Sequence, residues 1–206
     1  MKNAFQIFKY KQIPVYIKYW FLLLLIFIPP IKMISLFIGI LVHELSHALK
    51  AKKLGYKTDY VFIDVLYGGA LVDSNHRYNN LHAIKIALAG PLSNLMLAGI
   101  GFLATSFIYF QFGEIKMMEY TSIFTLINLL LGVGNLLPIY PLDGGRISKG
   151  ILNLFYSRKK SRRINSIISI ITSLVIITIS IIYSLWLMLF FSSIFLIVAY
   201  TEWKKD

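Results

Sequence analysis

The chain has 206 residues, 57% of them hydrophobic, and a formal net charge of +12. The apolar share exceeds the roughly 45–50% of an ordinary globular domain and comes in long blocks, which points to lipid rather than water as the surrounding medium. No cysteine is present, which excludes a disulfide framework and any thiolate metal site, so a bound metal would need His, Asp or Glu.

A bilayer-spanning helix needs about 20 mostly apolar residues. The first block, 13–30, follows three lysines and has the outline of a signal peptide. No small-residue cleavage site follows it, and it runs directly into Pro29-Pro30-Ile31-Lys32, so it is expected to remain as a first span. The second, 31–49, ends in LVHELSHA (Leu41 to Ala48). His43 and His47 are four residues apart and share one helix face, with Glu44 beside them. This is the H-E-x-x-H pattern, in which two histidines hold zinc and the glutamate acts as general base. The alternative is a polar helix end at the membrane surface. Ionisable groups are costly within a span, which favours the functional reading.

After this span comes KTDYVFIDVLYGGALVDSN (Lys57 to Asn75), rich in β-branched and aromatic residues around Gly68-Gly69. It reads as a β-hairpin. The third span, 82–112, contains Ala89-Gly90-Pro91-Leu92-Ser93-Asn94. Gly90 lets helices approach closely and Pro91 frees a backbone carbonyl. The fourth, 117–139, leads into NLLPIYPLDGGR (Asn135 to Arg146), where two prolines and two glycines must break the helix around Asp143. Broken backbone is tolerated at membrane depth only where protein buries it or it lines a wet cavity. A zinc site of this kind needs a third protein ligand and an open fourth position. Asp143 lies at the same end of its span as the two histidines do of theirs. The other candidates are His76 and His82, and a surface turn is the alternative for the Pro-Leu-Asp-Gly-Gly stretch. The apolar run 164–200 is too long for one span and divides into 164–182 and 184–200, turning near Tyr183–Ser184.

The expected fold is therefore an all-α polytopic membrane protein, a single domain over 1–206, with six transmembrane helices and a small β-hairpin between the second and third. Six spans put both termini on one side, together with 19 of the 21 lysines and arginines; only Lys32 and Lys116 fall opposite. That side should be cytoplasmic. The Arg158–Arg163 loop then serves topology and anionic lipid, and no nucleic-acid partner is expected.

HELSH together with NLLPIYPLDGG resembles the site-2 proteases, the intramembrane zinc endopeptidases of peptidase family M50. The compact plan most resembles the bacterial sporulation branch, which cleaves a membrane-tethered pro-sigma factor. The resemblance implies one zinc ion per chain, ligated by His43, His47 and Asp143, with Glu44 as catalytic base. It implies a bacterial cell membrane and hydrolysis of a peptide bond in or near the transmembrane segment of a tethered protein, releasing a sigma or other transcription factor. A membrane inhibitor or regulator protein is a further implied partner.

Ala89 to Asn94 resembles the family's A-G-P-x-x-N signature. Asn94 is read either as a donor to the oxyanion or as an interhelical hydrogen bond, and Asn135 either as a substrate neighbour or as a helix contact. The hairpin is read either as a structural cap or as an edge that pairs with substrate, with Gly68 and Gly69 forming a turn or bulge and Val65 and Ala70 as ladder positions. Ser46 stands where the family often has Gly. The nucleotide-sensing domain that usually follows the sporulation-type core, and the inserted peptide-binding domain of other branches, are absent from the sequence. That bears on ATP regulation and on the pro-sigma substrate.

Three other readings compete. A prenyl-protein type of zinc protease usually takes a glutamate as third ligand, and no downstream E-x-x-x-D helix stands out. A catalytically silent relative that binds membrane proteins would have no need of Glu44. A metal transporter would spread its ligands along a path.

Overall fold

The computed structural model describes residues 4–64, 69–72 and 79–204. Its elements follow in the order β1 (Ala4–Tyr10), β2 (Ile13–Lys18), α1 (Tyr19–Leu22), α2 (Leu24–Phe27), α3 (Pro30–Lys53), β3 (Thr58–Ile63), β4 (Gly69–Val72), α4 (Asn80–Gln111), α5 (Ile115–Leu136), α6 (Asp143–Phe155), α7 (Arg158–Ile182) and α8 (Trp186–Lys204). Five of the helices, α3, α4, α5, α7 and α8, are long and apolar enough to cross a membrane. At 1.5 Å per residue the 24 residues of α3 reach about 36 Å, and the 19 of α8 about 28 Å. The helical membrane-protein class stands. The chain divides into two compact units, Met1–Arg77 with Ala89–Gly134 and Tyr78–Leu88 with Asn135–Asp206.

In the first unit the expected span 13–30 is not one helix. Ile13, Val15 and Ile17 alternate with less buried neighbours, the period-two pattern of a strand, and all three are buried in β2. Lys18 closes the strand with an ion pair to Asp64 at 2.6 Å. The remaining apolar residues form only two four-residue helices before Pro29-Pro30. The segment still runs the length of α3 in the opposite direction. At one end Lys52 donates to the carbonyl of Lys11 at 2.6 Å; farther along, Phe21 packs on Phe37, and Pro29 stands at the N-cap of α3. A strand covers that distance with few residues because it rises more than twice as far per residue as a helix.

The sheet has four strands rather than the two of a lone hairpin, in the order β1-β2-β3-β4. β1–β2 and β3–β4 are antiparallel. β2 and β3 are parallel, with Val15, Ile17, Val61 and Ile63 buried. Pro14 lies outside the stretch of β2 paired with β3, Val15–Ile17, so its missing N–H interrupts nothing there. The inner face of the sheet joins Phe21, Met33 and Ala48 in one core, against which Phe37, Ile40, Leu41, Leu45 and Leu49 of α3 pack. The sheet thus braces the helix that carries His43 and His47.

In the second unit α6 lies between the Asn135–Leu142 segment and α7. Gly144 and Gly145 bring its first turn onto backbone: a Cβ built on Gly145 would meet the carbonyl carbon of Ile139 at 2.6 Å, and one on Gly144 would run into the carbonyls of Leu136 and Leu137. Ser169 of α7 accepts the Tyr140 N–H at 3.0 Å and donates to the carbonyl of Asn165 at 2.8 Å. The run Arg158–Arg163 is the opening of α7 rather than a loop; Ser157 caps it by accepting the Lys160 N–H. Lys149 of α6 pairs with the buried Glu202 of α8 at 3.8 Å. α7 turns into α8 at Tyr183–Leu185, with Ser184 at φ 54°.

Candidate metal centre

His43, Glu44 and His47 sit in the C-terminal half of α3, each less than 10% exposed. Their helical spacing brings the two imidazoles together, rings 4.7 Å apart and nearly perpendicular. The Nε2 atoms lie 3.1 Å from each other. Two nitrogens bound to one tetrahedral zinc at about 2.0–2.1 Å each would stand about 3.3 Å apart, so the pair is close to the required bite.

Gly90 of α4 faces that pair. A Cβ built on it would lie 2.7 Å from His43 Nε2 and closer still to His47 Nε2. The bare Cα leaves open the space a shared ion needs, and this is the second observation that the residues fit a metal. The sequence reading gave Gly90 only a helix-packing role.

Asn94, one turn farther along α4, has no exposure. Its Oδ1 lies 2.5 Å from His43 Nδ1, and its Nδ2 donates to the Gly39 carbonyl and to Asn128 Oδ1, both at 3.0 Å. An asparagine has two N–H donors, and both are committed here. The structure places Asn94 against a histidine ring, with its Nδ2 bonded to two protein oxygens. Asn128, fully buried on α5, was not singled out from sequence. The available signal was a lone amide in the apolar run TSIFTLINLLLGVG, a position where a polar group needs a reason.

Asp143, in the second unit, is the first residue of α6 and is 4% exposed. The helix N-terminus suits a carboxylate. Arg146 Nη1 stands 3.5 Å from Asp143 Oδ1, with most of the arginine exposed. Asn135, also in this unit, lies in the last turn of α5 and is half-buried. His82 is half-buried in the first turn of α4, and His76 lies outside the described residues. Of the hairpin positions, Gly69 and Ala70 lie on β4, paired with Phe62 and Val61; Val65 and Gly68 lie outside the described residues.

A family model described as peptidase family M50 matches residues 31–114 and 104–179. The zinc metalloprotease MJ0392 of Methanocaldococcus jannaschii is 33% identical over 177 residues, covering 80% of this chain and 50% of that protein. The stage IV sporulation protein FB of Bacillus subtilis is 29% identical over 140 residues, covering 65% of this chain and 44% of that protein. The chain thus spans about half the length of these curated relatives. Among solved structures, a site-2 protease from Methanocaldococcus jannaschii superposes with a TM-score of 0.67 at 25% identity, covering 98% of this chain and 96% of that one.

Proposed function

The chain belongs to peptidase family M50, and from that membership we propose that it is an intramembrane zinc endopeptidase acting on a membrane-tethered protein. The paired Nε2 atoms of His43 and His47, buried beside Glu44 and facing the bare Cα of Gly90, carry this reading. His43 and His47 supply two ligands to one zinc ion per chain. Asp143 supplies the third: it is a buried carboxylate on a turn that its glycines and Ser169 hold firmly. When bound, the ion polarises the scissile carbonyl and lowers the pKa of a coordinated water towards 7. Glu44 takes the proton from the attacking water and returns it to the leaving amine. Asn135, at the end of α5, is a candidate neighbour of the substrate.

The chain is an integral membrane protein, and we place both termini on the cytoplasmic side from the distribution of its lysines and arginines. Release of a sigma or other transcription factor from the membrane is one outcome such cleavage would have.

The test uses purified full-length protein and a single-span tethered substrate, with zinc content measured alongside cleavage. Glu44→Gln should keep about one zinc per chain and lose about 100- to 10,000-fold in rate, the usual contribution of a general base. Asp143→Asn should lose zinc. Removing residues that merely orient a ligand already weakens metal binding by about 10- to 100-fold, and loss of a charged ligand should cost more. Cleavage that persists in pure Glu44→Gln removes it as the base. Metal content unchanged in Asp143→Asn after dialysis moves the third ligand elsewhere, His76 and His82 being the first alternatives.

A further inference from the structure

Asn128 lies two hydrogen bonds from the candidate ligand His43, through Asn94. Two backbone carbonyls, which accept and never donate, fix how both amides of this chain of contacts are turned. Asn128 Nδ2 stands 2.9 Å from the carbonyl of Phe124, so its NH2 end faces its own helix and Oδ1 points away from it. Asn94 Nδ2 stands 3.0 Å from the carbonyl of Gly39 and 3.0 Å from Asn128 Oδ1. Asn94 Oδ1 is thereby turned to His43 Nδ1, and an amide oxygen can only accept there. The proton of a neutral His43 then sits on Nδ1 and its lone pair on Nε2, the nitrogen facing His47. A rotated Asn94 would oppose its oxygen to the oxygens of Gly39 and Asn128, and its NH2 would face Nδ1.

The close approach is built in. A Cβ on Gly39 of α3 would lie 2.9 Å from Asn128 Oδ1 and 2.7 Å from Leu131 Cδ1, so a side chain there would hold α5 away.

We infer that Asn128 is a positioning residue that acts through Asn94 to hold His43 in its Nδ1–H tautomer, leaving Nε2 as the metal-binding atom. The inference rests on the metal centre proposed above, and it extends to a third helix the way partners of a ligating histidine fix its tautomer.

The test begins on metal-free protein, so that it does not depend on that centre. Full-length protein is labelled with 15N-histidine and held in detergent micelles at a pH where imidazole is neutral. The ring nitrogens of His43 are identified as the signals lost in His43→Gln. Wild type should show the Nδ1–H form in large excess. Asn128→Leu, which keeps the branched outline but cannot accept from Asn94, should raise the Nε2–H share. Asn128→Asp should restore the wild-type form, since a carboxylate oxygen can accept from Asn94 as the amide oxygen does. In the second step, competition with a chelating dye should show zinc held about 10- to 100-fold more weakly by Asn128→Leu, with most of the loss recovered in Asn128→Asp. An unchanged tautomer in Asn128→Leu overturns the proposal. So does wild-type His43 carrying its proton on Nε2, a result that needs no variant to fold. Wild type with the Nδ1–H form that binds no zinc refutes the metal centre and leaves the relay standing.

Discussion

His43, Glu44 and His47 were legible because their chemistry is tied to a spacing: positions i and i+4 on a helix must converge, whatever surrounds them. The residues that make the pair usable carry no such spacing. Asn94 could be an oxyanion donor or an interhelical hydrogen bond, and only the structure shows its two N–H groups directed to Gly39 and Asn128. Gly90 is the sharper case, because its function is the absence of an atom. Its place in a small-residue motif suggested close helix packing, but not that the closely approaching groups are the two imidazoles. Gly90→Ala should therefore abolish stoichiometric zinc binding, since the new methyl would fill the space between the Nε2 atoms. α4 should remain helical, because alanine favours a helix over glycine by about 1 kcal/mol. Zinc analysis and circular dichroism of the purified variant check both parts. Full zinc occupancy would mean that the ion sits elsewhere.

At the scale of elements, long apolar runs locate helices well and distinguish poorly between a helix and a buried strand. The block 13–30 has the length of a span, yet its first six residues alternate and its last two are prolines. Alternation places Ile13, Val15 and Ile17 on one face of β2, and tertiary pairing with β3 decides the matter. α6 was missed for the opposite reason: its segment is short, holds three glycines and is too polar to read as a span. The hairpin was legible, but its edge was not, because strand order is a non-local property. In the sheet β3 is paired on both sides, so the hairpin edge not paired with another described strand belongs to β4. A substrate helix must unwind before its peptide bonds can be attacked, and its freed backbone groups then need partners; a strand edge supplies them. Successive residues of a strand point their N–H groups to opposite sides. Of Ala70→Pro and Leu71→Pro, one should remove a donor from the open edge and the other a bond to β3. The first should lower cleavage with zinc content and folding intact, while the second should loosen the hairpin. Full activity in both would leave β4 as a structural cap.

At the scale of the molecule, charge carries information that packing does not. The charge count rests on six crossings; five helices are of spanning length, and the segment of β2, α1 and α2 runs antiparallel to α3. Had 13–30 been a loop on one side, the lysines at 2, 9, 11 and 18 would change sides and the asymmetry would weaken. Lys52 bonded to the carbonyl of Lys11 instead keeps the β1–β2 turn at the lysine-rich end of α3, where Lys50 and Lys53 also lie. Lys32 and Lys116, which the charge count assigns to the opposite side, lie close to the starts of α3 and α5. Lysines and arginines are retained on the cytoplasmic side, so a cysteine placed at 160, in the first turn of α7, should resist a membrane-impermeant thiol reagent in intact cells and react once they are permeabilised. A cysteine at 116 should react in both conditions. The native chain has no cysteine, so each labelled band has a single source. Labelling at 160 from outside would invert the topology and put His43, His47 and Glu44, near the lysine-rich end of α3, at the outer face. Substrates would then have to be sought among proteins whose cleaved bond lies near that face.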